Sequence, residues 1–148
     1  MKDLCARDVM HPRVSLPAKM AGAELIEKLT GPYPGLPVVS DSLEVEGIVS
    51  EYDVLAAIKE GRTVHEFSAE SLMTCGHAEH GACGHPVSVA PDSPLTDVID
   101  LFLGNGQSLS VLPVVSKRKL VGIIARKNLM NALAERGFWP EHEFQKRL

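Results

Sequence analysis

A duplication constrains this chain more than any other feature. Leu36-Pro37-Val38-Val39-Ser40 returns as Leu112-Pro113-Val114-Val115-Ser116. After each copy comes a polar turn and a second apolar run, Val45-Glu46-Gly47-Ile48-Val49-Ser50 in the first half and Leu120-Val121-Gly122-Ile123-Ile124-Ala125 in the second. The runs are short, rich in β-branched residues and bounded by turn formers, so each pair reads as two adjacent buried strands. The turns fall at Asp41-Ser42 and Lys117-Arg118-Lys119. Chance similarity between apolar strands would not also align Pro37 with Pro113 and Gly47 with Gly122, residues with special backbone requirements.

Around these strand pairs the helical period also recurs. Ala23, Leu25, Ile26 and Leu29 share one face of a helix over residues 21–29, with Glu24, Glu27 and Lys28 outside. Leu95, Val98, Ile99, Phe102 and Leu103 repeat that spacing after Pro94, where Asp92 or Ser93 can cap the helix. Short helices are expected over 52–58 and 127–133, and first strands around Val14-Ser15-Leu16 and Val87-Ser88-Val89. Each half is then β-α-β-β-α, an α/β (α+β) fold of two pseudo-symmetric repeats packed through their sheets. The expected divisions are 1–65 for the first repeat, 66–135 for the second with an insertion near 74–86, and a tail over 136–148.

The 148 residues carry a formal net charge of −4 without a Lys/Arg cluster, which argues against nucleic-acid binding. No apolar run reaches the roughly 20 residues of a membrane span, and the first residues lack a signal-peptide stretch, so the expectation is a cytoplasmic protein that does not enter a membrane. Three cysteines in a domain of this length fit reduced thiols better than a disulfide framework.

The repeat resembles the cystathionine β-synthase (CBS) type, in which an apolar-Pro-Val strand and a turn precede Gly, two apolar residues, Ser or Thr, two variable residues and Asp. Gly47-Ile48-Val49-Ser50-Glu51-Tyr52-Asp53 matches in full, and the family's opening is visible in Asp8-Val9-Met10 and Ser71-Leu72-Met73. The resemblance covers roughly residues 4 to 135. It implies a tandem pair that binds an adenine nucleotide, AMP or ATP in the first instance, in the cleft between repeats.

Chemically, such a motif suits a nucleotide at a strand-to-helix junction, where backbone N–H groups and the positive helix end favour phosphate. Ser50 supplies a hydroxyl, Asp53 can accept from both ribose hydroxyls, and Ile48 with Leu36, Pro37 and Val38 offers an apolar wall for the purine. The resemblance adds the backbone around Val14 as reader of the adenine edge. Equally, Ser50 and Asp53 fit a plain helix cap with a carboxylate near the positive helix end. The second repeat has Ala125 for the hydroxyl and Asn128 for the acid, so Val87, Pro113, Val114, Arg126 and Asn128 would form a weakened or empty site.

Cys75, His77, His80, Cys83 and His85 lie in the glycine-rich insertion and could hold zinc. Their spacing is not the paired CxxC of zinc ribbons, and a loop without metal, a redox-labile Cys75/Cys83 pair or solvated histidines account for it as well. Ser50 with Asp53 supplies no triad, because no His stands beside them in the sequence, so no catalysis is expected; a metal hydrolase built on the insertion is the enzymatic alternative. The apolar tail residues Phe138, Trp139 and Phe144 point to a homodimer, and a separate regulated protein must answer to the nucleotide.

Overall fold

The computed structural model describes residues 4–76, 85–105 and 109–136. Elements run α1 (Ala6–Val9), β1 (His11–Pro12), β2 (Leu16–Pro17), α2 (Gly22–Leu29), β3 (Gly35–Val39), β4 (Val45–Ser50), α3 (Glu51–Lys59), α4 (Ala69–Leu72), α5 (Leu95–Asn105), β5 (Val111–Ser116), β6 (Lys119–Ala125) and α6 (Arg126–Arg136). The fold is the expected mixed α/β pair, with two three-stranded sheets ordered β2-β3-β4 and β1-β6-β5.

The two repeated strand pairs form matching antiparallel hairpins. Pro37 sits opposite Ile48 in one and Pro113 opposite Ile123 in the other, each hairpin with an irregularity one or two residues later. All five residues of β3 are buried, as an apolar run with sheet neighbours and helices around it requires. Leu16 pairs in parallel with Val38, and Val89 makes the equivalent bridge to Val114. Ser93 differs from expectation: its Oγ accepts the N–H of Ala90 in the preceding turn, at 3.0 Å.

The packed halves exchange their opening segments. β1 pairs antiparallel with β6, His11 opposite Ile123 and Pro12 opposite Gly122, and Ala6 and Val9 of α1 are buried with Val98, Phe102, Leu112 and Ile124. Reciprocally, Phe67, Ala69 and Leu72 around α4 join Leu25, Leu36, Val38 and Val49, and Thr74 bridges Ile48 with two bonds of 2.8 Å. Two glycines permit this crossing. A Cβ on Gly122 would meet the Met10 side chain and the His11 carbonyl, and one on Gly47 would meet Met73 Cβ, Cγ and Sδ at 2.9 Å. The halves also interlock at the middle: Ile48 lies in the second core, and Leu120 and Ile123 in the first.

Candidate functional site

The site begins where β4 ends and α3 starts. Ser50 is the N-cap, with extended backbone that turns the chain out of the sheet. Its N–H and hydroxyl both donate to Asp53 Oδ2, at 2.8 and 3.0 Å, and its Oγ accepts the Asp53 N–H at 3.3 Å. Glu51 N–H is taken by the Pro34 carbonyl at 3.0 Å. Two of the first helix N–H groups expected to await phosphate therefore already have protein partners. Asp53 Oδ1 has none among the described residues. Burial raises the Asp53 carboxyl above its ordinary value of 3.8, opposed by the Ser50 N–H and then the Ser50 hydroxyl. The reciprocal cap is made by the same two side chains that the sequence names as candidate ligand contacts, and it engages Oδ2 alone of the two carboxylate oxygens.

Leu36, Pro37 and Val38 lie on β3, and Leu36, Val38 and Val49 are closed into the first core. Ile48 is 1% exposed and is turned into the second core. Val14, between β1 and β2, is exposed at 37%. His11 of β1 is exposed, and its Nδ1 lies 3.3 Å from the Tyr33 hydroxyl.

At the matching corner of the second half, Asn128 is buried and its Oδ1 accepts the Ala125 N–H at 2.8 Å, so the amide keeps the cap that Ser50 and Asp53 make in the first half. Arg126, exposed, donates from Nη1 to the Leu109 carbonyl at 3.0 Å, bracing the entry to β5. Val87, Pro113 and Val114 are buried, with Val87 N–H bonded to the Cys75 carbonyl at 3.0 Å. A cavity of about 630 Å³ opens elsewhere, between residues Ser88, Val89 and Ala90 and the Asp97 and Asp100 side of α5; neither corner lines it.

Of the five metal-ligand candidates, Cys75 and His85 are described; His77, His80 and Cys83 lie outside the described residues. Cys75 is buried and held in a disulfide, which corrects the expectation of reduced thiols and leaves no thiolate there for zinc in this state. Cys5 is a free thiol. His85 is exposed, and among the described residues no group of three His, Cys, Asp or Glu side chains could hold a metal. No helix among the described residues is long and apolar enough to cross a membrane.

Among solved structures, the chain is similar to CBSX2 from Arabidopsis thaliana, which was crystallised in complex with AMP: 27% identity, 90% of this chain and 98% of that chain covered, TM-score 0.72. The CBS domain pair of protein MJ0100, in complex with 5′-methylthioadenosine and S-adenosyl-L-methionine, shares the fold at 19% identity, covering 88% of this chain and 99% of that one, TM-score 0.69. Hypoxic Response Protein I with two coordinated zinc ions also shares it, at 17% identity, covering 86% and 98%, TM-score 0.70. No curated protein matches the chain in sequence. The CBS domain model matches twice, over residues 6–60 and 82–135, together most of the sequence, and the chain belongs to the CBS domain family as a tandem pair.

Proposed function

We propose that this protein is a non-catalytic regulatory module that binds an adenine nucleotide at the Ser50–Asp53 corner, AMP first and ATP next, and passes the signal to a separate protein. The observation that carries the reading is the divided duty of Asp53. Its Oδ2 holds the helix cap while Oδ1 stays without a partner among the described residues, in a carboxyl partly withdrawn from water. A ribose offers two hydroxyl donors to such an oxygen, and the positive end of α3 favours the phosphate that follows. Likeness to a CBS pair crystallised with AMP supports the same ligand class.

The second corner is the weaker site. Asn128 Oδ1 is already committed to the Ala125 N–H, and no hydroxyl stands at Ala125. Ser50 and Asp53 are bonded to each other as a helix cap, which supports binding without turnover. Leu36, Pro37, Val38 and Ile48 serve as walls in this reading and the backbone around Val14 as reader of the adenine edge, although the buried positions of Leu36, Val38 and Ile48 make them supports of the pocket more than contact surfaces. The module works as a homodimer in the cytoplasm, away from nucleic acid and membrane. Tyr52, Leu55 and Ile58 form an exposed apolar stripe along α3, at 76, 65 and 47% exposure, that a second copy would cover.

Thermal unfolding against AMP, ADP, ATP and S-adenosylmethionine, with and without zinc, tests the proposal. A ligand that selects the folded state raises the midpoint. A rise with one adenosine ligand that Asp53→Ala abolishes is the expected result; no rise with any of them rejects the reading.

A further inference from the structure

We infer that the tip of the β5–β6 hairpin is a docking surface for an acidic segment of another protein. Lys117, Arg118 and Lys119 follow one another at this turn, and all three are exposed. Arg13, just past β1, brings a further cation to the same place, since its Nη1 donates to the Leu120 carbonyl at 3.4 Å. Glu44 reaches the cluster through an ion pair with Arg118, at 3.8 Å and with the two side chains 50 and 88% exposed. Such a pair is worth little in water and gives way to another carboxylate at small cost. Among the described residues no other carboxylate makes an ion pair with these cations.

Neither packing nor turn geometry asks for these residues. The equivalent turn of the first repeat carries Asp41 and Ser42, so the duplicated fold accepts the opposite charge there. Lys117 and Arg118 have φ of 52° and 69°, a left-handed backbone that Asn-Gly would adopt at lower cost, so the cations are kept against local stability. They also run against a chain of net charge −4. Ser116 pairs with Lys119 at the tip and Val111 with Ala125 at the base, which puts roughly 17 Å of strand between the patch and the second corner. The patch is therefore separate from the nucleotide reading, and it stands on the seam, where the Leu120 N–H donates to the Leu43 carbonyl at 2.9 Å. Cations gathered at a point suit a short run of Asp or Glu side chains, with the guanidinium forks of Arg13 and Arg118 matching carboxylates. A nucleic acid needs a longer row of cations. Lasting attachment to a bilayer needs an apolar or lipid anchor beside the basic patch, which the turn residues do not supply.

Fluorescence anisotropy with labelled hexaglutamate, on the full chain without nucleotide, tests the inference separately from the nucleotide reading. The expected result is binding at low salt that fades toward physiological salt, weakened about tenfold by Lys117→Asn with Arg118→Gly. That variant should unfold at a higher temperature than the parent, so its loss of binding is not a loss of fold. Lys117→Glu with Lys119→Glu should weaken binding further, whereas Lys28→Glu, which changes an exposed cation on α2, should leave it unchanged. No binding by the parent at low salt, or equal weakening by Lys28→Glu, would overturn the inference. So would tighter, turn-dependent binding of an oligothymidylate or of phosphatidylserine vesicles, which would assign the patch to a nucleic acid or a membrane instead.

Discussion

The Ser110 hydroxyl lies against Gly35 across the seam, buried and without a hydrogen-bond partner among the described residues. Gly35 opens β3 and pairs with Ser50, so this contact stands directly behind the candidate corner. A Cβ at position 35 would collide with Ser110 Oγ and would also come within 2.8 Å of the Val49 carbonyl. Gly35→Ala should therefore cost about 1–3 kcal/mol, the usual penalty of overpacking. Ser110→Ala removes a buried unpaired hydroxyl and should leave stability unchanged or raise it by about 1 kcal/mol. Urea unfolding of the two single variants and the double variant checks both signs. Rescue should be partial, because the Val49 carbonyl remains.

Asp53 gives a pH signature. Its folded pKa is raised, so the folded chain binds this proton more tightly than the unfolded chain does. The contribution is fully present below the unfolded value near 3.8 and is lost as pH rises through the higher folded value. Asp53→Asn abolishes that dependence while keeping an acceptor for the Ser50 N–H, as Asn128 does for Ala125. The variant should be at least as stable as the parent at pH 7, with a flatter stability profile across the acid range in thermal melts. Its adenosine binding should fall by about 1–3 kcal/mol in calorimetry, because the carboxylate acceptor is gone.

The two methionine–glycine contacts should respond unequally. Gly122 is crowded by the His11 backbone carbonyl as well as by Met10, whereas the three atoms nearest a Cβ on Gly47 all belong to the Met73 side chain. Side chains repack and a paired strand does not, so Gly122→Ala should destabilise by more than Gly47→Ala. Met73→Ala should rescue part of the loss at 47, while Met10→Ala should rescue less at 122. Double-mutant cycles by denaturant unfolding measure the couplings.

The β5–β6 hairpin turns on Lys117 and Arg118, with φ of 52° and 69°. Such a two-residue turn is best served by Asn-Gly. Non-glycine residues held there cost stability, and the Arg118–Glu44 ion pair, at 3.8 Å and largely exposed, offsets little of it. Lys117→Asn with Arg118→Gly should raise stability by about 1 kcal/mol, read as a higher denaturation midpoint with an unchanged slope.

The duplicated strands and their flanking helices were legible because local periodicity and turn chemistry agree there: α2, expected over 21–29, spans Gly22–Leu29, and the helix expected after Pro94 is Leu95–Asn105. What stayed hidden is carried by contacts distant in sequence. Four residues in α1, four in α4 and two in β1 are too few to show a period, and nothing local tells Met10 that its partner is Gly122. The recurrence of a Met-bearing opening ahead of each glycine-bearing strand, Met10 before Gly47 and Met73 before Gly122, was the available signal. Ser50 and Asp53 were found by motif, but their mutual bonding needed coordinates, since a cap and a ligand acceptor look identical on paper. The oxidised state of Cys75 ran against the reading from cysteine count, which averages over a chain and cannot place one sulfur.

The exchange of opening segments has a consequence for how the molecule assembles. Residues around Ala6 and Val9 find their place only against strands near residues 112 and 124. The first hairpin can form early from neighbours in sequence, but its core is closed by Phe67 and Leu72 and by Leu120 and Ile123, so it stays open on one side until β6 has joined it. Loop closure over such separations slows folding, and a chain cut between the repeats would leave each piece without segments that its core requires.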